Sequence, residues 1–177
     1  MPAPKFQRLS AWDVAYAVNM GIASLITYYL MAVVVPLLTN QPAEPVGILW
    51  AVISTVFVFR DTRAHSLSAG ISRLIATSVS FALCLVYLLL FPADPIALIV
   101  LMIIGTLLMM AFGRRDDIGL TAITTAVVLI VAMSQPEAAW HQPLLRLMNT
   151  VAGVGVGVGC KWAASFLFYR IAGDAVR

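Results

Sequence analysis

Two arginines and six hydroxyl side chains are the residues of this chain whose types and spacing could do chemistry. Arg73 and Arg146 each open an R-L-x-x-T phrase, Arg73–Leu74–Ile75–Ala76–Thr77 and Arg146–Leu147–Met148–Asn149–Thr150. Ser54 with Thr55, and Thr124 with Thr125, form adjacent hydroxyl pairs inside apolar runs. A guanidinium is planar, permanently charged and able to grip a carboxylate through two parallel N–H bonds. Ionisable groups at membrane depth are costly, so they mark a substrate path by default. The chemistry these residues support is recognition of a small organic anion at Arg73 and Arg146. Ser54, Thr55, Thr77, Thr124, Thr125 and Thr150 would line the way. A plainer reading stands beside it. Hydroxyls in membrane helices commonly bond back to their own backbone or tie helices together, and an arginine near a helix end can be a snorkelling anchor.

No activated nucleophile, carboxylate pair or metal-ligand cluster accompanies these residues, so an enzyme, a metal and a cofactor are not expected. Cys84 and Cys160 both lie in apolar runs and read as small apolar side chains. No Asp or Glu falls in the middle of an apolar segment, which counts against proton coupling through a buried carboxylate.

The elements that must hold the arginines and hydroxyls are membrane helices. The chain of 177 residues is 62% hydrophobic and 11% charged, with a mean hydropathy of +0.97. A soluble domain carries about 25% charge. Six apolar segments can be marked: Val14–Leu38, Gly47–Phe59, Leu67–Phe91, Pro95–Phe112, Ile118–Met133 and Leu144–Phe168. Crossing the hydrocarbon takes about 20 helical residues, so the second and fifth are the short pair. Proline-bearing links (Thr39–Pro42, Pro92–Pro95, Gln135–Pro143) end one helix and begin the next. The expected fold is all-α: one polytopic membrane domain over residues 1–177 with six transmembrane helices. The first run is long enough to span and no A-x-A site closes a shorter one, so it reads as a retained helix rather than a cleaved leader.

The net charge of +3 and pI near 9.1 invite a nucleic-acid reading, but the placement of the charges explains them as topology. Lys5, Arg8, Arg60, Arg63, Arg73, Arg114, Arg115, Arg170 and Arg177 fall on one side, Arg146 on the other, and Lys161 inside the last span. Glu44, Asp94 and Glu137 occupy the side opposite the basic loops, with Trp140 as an interfacial aromatic. The positive-inside rule then puts both termini in the cytoplasm. Arg146 breaks that rule, which makes the anchor natural for Arg73 and odd for Arg146.

The R-L-x-x-T phrases are displaced by 73 residues. Val52–Ile53–Ser54–Thr55–Val56 resembles Ala122–Ile123–Thr124–Thr125–Ala126, displaced by 70. Two three-helix repeats follow, about 12–91 and about 95–170. A three-helix unit reverses direction when repeated, so the halves are expected to be inverted, a common transporter construction. The alternative is chance recurrence among Ala, Val, Ile, Leu and Thr.

The remaining polar and small residues read structurally. Gly153/Gly157 and Gly155/Gly159 are small-xxx-small faces for close helix packing, and no strand precedes them as a dinucleotide site requires. Lys161 either snorkels to the inner interface or lines a pore, with snorkelling preferred. His65 and His141 read as loop histidines. Asp13, Asp61, Asp116 and Asp117 read as helix caps or local ion-pair partners.

Trp50, Ala51, Val52, Thr55, Phe59, Thr62, Ser66, Leu67, Gly70, Arg73 and Thr77, with the later phrase Pro143–Gly159, resemble the membrane domain shared by fusaric acid resistance proteins and aromatic acid exporters. The same pattern is similar to plant aluminium-activated malate transporters. Ala76 and Ser80 replace glycines usual after the arginine in that family. The resemblance implies export of organic anions, often aromatic carboxylates, across the inner membrane, with Arg73 and Arg146 facing the anion. Many members are longer, which implies a homodimer or higher homo-oligomer, or a recruited partner. The expectation is therefore a bilayer-embedded transporter or channel effluxing aromatic or other carboxylic acids, with no nucleic-acid partner. The competing class is a non-transporting membrane scaffold or accessory subunit.

Overall fold

The computed structural model describes residues 10–40, 42–136 and 139–174, with only the helical backbone of 167–174. Lys5, Arg8, Glu137 and Arg177, used above for topology, lie outside them. Among the described residues there is no strand. Six helices follow one another: α1 (Ala11–Tyr29), α2 (Pro45–Val58), α3 (Arg63–Leu90), α4 (Pro95–Ala111), α5 (Ile118–Ser134) and α6 (His141–Asp174).

Local chemistry starts each helix where the chain needs it. Ser10 and Asp13 form a reciprocal capping box on α1. Thr62 accepts from His65 N–H at 3.2 Å to open α3, and Asp94 accepts from Ala97 N–H at 2.6 Å to open α4. Pro45 and Pro95 occupy first-turn positions where a missing N–H costs nothing. α1 does not stop at Tyr29. It widens into a π-helical turn (Leu30–Val34) and continues as Val35–Thr39. Pro36 has no N–H for the preceding turn, and a widened turn is one way a helix absorbs that loss. The chain links α4 to α5 through Gly113, whose φ of 71° a side chain would disfavour.

Four stretches are long and apolar enough to cross a membrane: Trp12–Leu38, Arg63–Leu90, Arg115–Ser134 and His141–Phe166. Pro45–Val58 and Pro95–Ala111 are shorter. The expectation that the second and fifth segments form the short pair therefore holds for α2 alone. A 3-10 turn at Arg115–Asp117 runs directly into α5 and lengthens it. α4 gains no such extension.

The helices are arranged around α3 and α6, which pack on each other. α2 lies against both, and so does α5. α1 covers α2 and α6, while α4 covers α5 and α3. The outer faces of α1 and α4 are apolar and exposed, as at Leu37, Leu38, Ile96 and Ile99, which suits contact with lipid tails. One end of the bundle is basic. There Tyr16 Oη donates to the Phe59 carbonyl at 2.8 Å and Arg114 Nη2 donates to Ser72 Oγ at 2.9 Å. The first bond ties the start of α1 to the α2–α3 link, and the second ties the α4–α5 link to the first half of α3. The α3–α4 link and Pro136 meet at the other end, around a shared cleft. The chain is a multi-pass membrane protein by the length and apolarity of these helices.

Candidate functional site

Arg73 lies inside α3, roughly 15 Å beyond the helix start at 1.5 Å per residue, deeper than an arginine anchored at a helix end. The cause is that α3 begins at Arg63, within the basic link, well before the apolar run. The side chain is 1% exposed. Its guanidinium carbon stands 4.9 Å from the ring centroids of both Trp50 and Phe57. These residues are seven apart and so share one face of α2. Aromatic faces carry negative potential and stabilise a cation by about 0.5–2 kcal/mol. A ring face is no substitute for a hydrogen-bond acceptor, and among the described residues Arg73 Nε and Nη2 have no hydrogen-bond partner. Arg73 borders a cleft of about 440 Å³ that also meets Arg60, Ser72, Asp116, Asp117 and Gly119. That cleft lies at the basic end, beside the N-terminus of α5.

Arg146 is fully buried in the first turns of α6, near the N-terminus of α2. Its Nη2 lies 3.8 Å from Glu44 Oε1 and 3.5 Å from Gln142 Oε1. Nε and Nη1 make no hydrogen bond. Gln142 Nε2 donates in turn to Gln135 Oε1 at 3.1 Å. The two arginines thus share burial and unpaired donors but differ in neighbours: aromatic rings for Arg73, an acid and an amide for Arg146.

The hydroxyls are all buried, and most are bonded. Ser54 and Thr124 bond back to the carbonyls of Trp50 and Leu120 at 2.9 and 2.8 Å. Thr55 Oγ1 donates to the Gly153 carbonyl at 2.9 Å, tying α2 to α6, and shares a 2.7 Å bond with Thr27. Thr125 Oγ1 donates to Ser80 Oγ at 3.1 Å, tying α5 to α3. Thr150 Oγ1 accepts from Trp50 Nε1 at 3.1 Å. Thr77 Oγ1 makes no hydrogen bond. Five of the six hydroxyls therefore have a structural bond, as their chemistry in apolar helices favours.

Two of these contacts recur at the sequence displacements. Moving Thr55 by 70 residues and Gly153 back by 73 gives Thr125 and Ser80, which are bonded. Ala51 and Gly153 map in the same way onto Thr121 and Ser80. A Cβ on Gly153 would stand 2.1 Å from the Ala51 carbonyl oxygen, and Ser80 Oγ donates to the Thr121 carbonyl at 2.9 Å.

The model of the fusaric acid resistance protein-like family matches residues 29–160. The chain belongs to that family. The matched span holds both arginines and all six hydroxyls. Family membership makes this a membrane transporter-type protein. No curated protein and no solved structure matches the chain.

Sequence reasoning missed how Glu44, Gln142, Asn149 and Phe57 gather around the arginines. Helical spacing carried part of the signal, since Gln142 and Asn149 lie four before and three after Arg146. Glu44 is about one hundred residues away, and nothing local announces it. Lys161 stands over the rings of Tyr16 and Phe59 at 5.1 and 5.3 Å. It borders a cleft of about 580 Å³ with Asp13, Asn19 and Asp61 at the basic end, as a snorkelling lysine would. Asp117 pairs with Arg114 at 2.7 Å, and His141 stacks on Trp140 at 3.5 Å between centroids.

Proposed function

We propose that this protein exports organic anions, aromatic or other carboxylic acids, along a path guided by Arg73 and Arg146. The observation that carries the reading is that both guanidinium groups are buried among the central helices with N–H donors left unbonded. An unpaired buried donor costs about 1–3 kcal/mol and more when charged. A carboxylate is the ligand that satisfies a planar, cationic fork of donors. Thr77, with its free hydroxyl on the α3 turn after Arg73, fits the same path. Thr55, Thr125 and Thr150 tie neighbouring helices together around it, while Ser54 and Thr124 line it with their hydroxyls bonded back to their own helices.

In this reading all six helices cross the bilayer in two inverted halves, with α1–α3 related to α4–α6. The supporting observation is the recurrence of the Thr55–Gly153 and Ala51–Gly153 contacts as Thr125–Ser80 and Thr121–Ser80. Exchanging the halves also turns every strongly packed helix pair into another such pair or itself. The membrane is the inner membrane, with both termini on the cytoplasmic side where the basic links gather. The protein acts as a homodimer or larger homo-oligomer, because short helices such as α2 are poorly matched to lipid unless covered by protein.

Flux in proteoliposomes tests the function. Labelled p-hydroxybenzoate and malate should cross faster than in empty vesicles. Flux at the empty-vesicle level across a broad panel of carboxylates would contradict transport and favour a scaffold, in which the arginines only pack helices.

A further inference from the structure

Several polar groups converge on the first turn of α2, at the end of the bundle away from the basic links. Arg146, fully buried, keeps Nε and Nη1 unbonded there. Asn149, one turn farther along α6 and 5% exposed, keeps Nδ2 unbonded. That Nδ2 lies 2.9 Å from the point where a Cβ on Gly47 would stand, and Glu44 Oε2 lies 3.3 Å from the same point. Gly47, having no Cβ, thus lets Asn149 and Glu44 close in on the first turn of α2, and any second carboxylate must take the place Glu44 now holds. The turn itself is electropositive. Ile48 N–H bonds to the Glu44 carbonyl at 3.0 Å, while N–H groups before it in the 14-residue helix have no carbonyl one turn earlier within the helix.

Glu44 is close to this cluster without completing it. At 3.8 Å from Nη2 its carboxylate attracts the arginine but is too far for a normal hydrogen bond. It makes no side-chain capping bond to α2. Its side chain is 31% exposed, so it has somewhere to go. An ionised carboxylate only accepts hydrogen bonds, so Glu44 cannot help to hold a second carboxylate. It can only compete with one.

Building on the anion-path reading, we propose that the first turn of α2 is a carboxylate site made by Arg146, Asn149 and the leading α2 N–H groups, with Glu44 as its internal competitor. A bound carboxylate displaces Glu44 from Arg146, and the returning Glu44 lowers affinity and speeds release. Charge stays balanced throughout, because one carboxylate replaces another beside a buried guanidinium. The arrangement is one-ended. The residue 70 positions after Glu44 is Arg114, which is occupied with Asp117 and Ser72.

Benzoate binding to the purified full-length protein, measured by titration calorimetry in detergent, tests the proposal. Glu44→Gln keeps size and removes the competing charge, so benzoate should bind about 10-fold tighter or more, on the scale of one charge-assisted hydrogen bond. Asn149→Leu should weaken binding in both the wild-type and the Glu44→Gln background. Unchanged or weaker binding in Glu44→Gln, with Arg73→Gln still impairing flux, would overturn the competitor while leaving the anion path standing. No benzoate binding by any variant, together with no carboxylate flux, would overturn both. If Glu44→Gln does not fold, Gly47→Ala carries the test, because its added methyl enters the site. Weakened benzoate binding at an unchanged melting temperature supports the site, and unchanged binding overturns it.

Discussion

Arg73 and Arg146 are the same residue in two different kinds of shelter. Rings of Trp50 and Phe57 flank Arg73 and leave its donors free, whereas Arg146 has an acid near it at 3.8 Å. Trp50 serves Arg73 twice, through its ring face and through Nε1, which fixes the indole to Thr150. Trp50→Leu should therefore cost about 1–3 kcal/mol, a hydrogen bond and a cation–π contact together. Phe57→Leu should cost less, because it removes only a ring face. Thermal unfolding in mild detergent compares them, and equal losses would contradict the double role of Trp50. The arginines and hydroxyls were legible from residue type and repetition alone. Their partners were not, because the Glu44–Arg146 and Trp50–Thr150 contacts join residues about one hundred apart in sequence.

Helix α6 has two glycine faces, and among the described residues only one of them packs against another helix. A Cβ on Gly153 or Gly157 would stand 2.1 or 2.5 Å from atoms of α2, while a Cβ on Gly155 or Gly159 would meet none of the described residues within 4 Å. Gly153→Ala should push α2 away and destabilise the fold by about 1–3 kcal/mol or more, as overpacking does. Gly155→Ala should leave melting unchanged or raise it slightly, because alanine favours a helix interior by about 0.5–1 kcal/mol over glycine. Similar melting of the two variants would contradict the close α2–α6 approach. The small-xxx-small spacing announced this packing, but both faces had the same spacing and the sequence could not rank them. The order of the segments and the starts of α2 and α4 were legible from apolar runs and prolines, but α3 and α6 extend into polar sequence beyond their apolar runs. The length of α5 was not legible, because the turn that extends it contains Arg115, Asp116 and Asp117, which hydropathy reads as loop.

At the scale of the whole molecule, the basic links gather at one end, and the proposed topology rests on that charge asymmetry. In variants without Cys84 and Cys160, single cysteines at Arg115 and His141 should label from opposite sides of sealed vesicles. Labelling of both from one side would contradict the inverted halves. The open Gly155/Gly159 face is continuous with exposed Met148, Val151 and Trp162 on α6 and is the face expected to meet a second copy. Gly155→Leu should keep the fold while abolishing crosslinked dimers in membranes, and undiminished crosslinking would exclude this face. The most direct measurement of the arginine-guided path is carboxylate flux through Arg73→Gln and Arg146→Gln in proteoliposomes, after equal insertion is verified. Loss of one charge-assisted bond of about 1.5–3 kcal/mol predicts roughly 10- to 100-fold weaker anion affinity, with comparable flux loss in both variants and partial retention in Arg→Lys. Wild-type flux in both Gln variants would contradict the account.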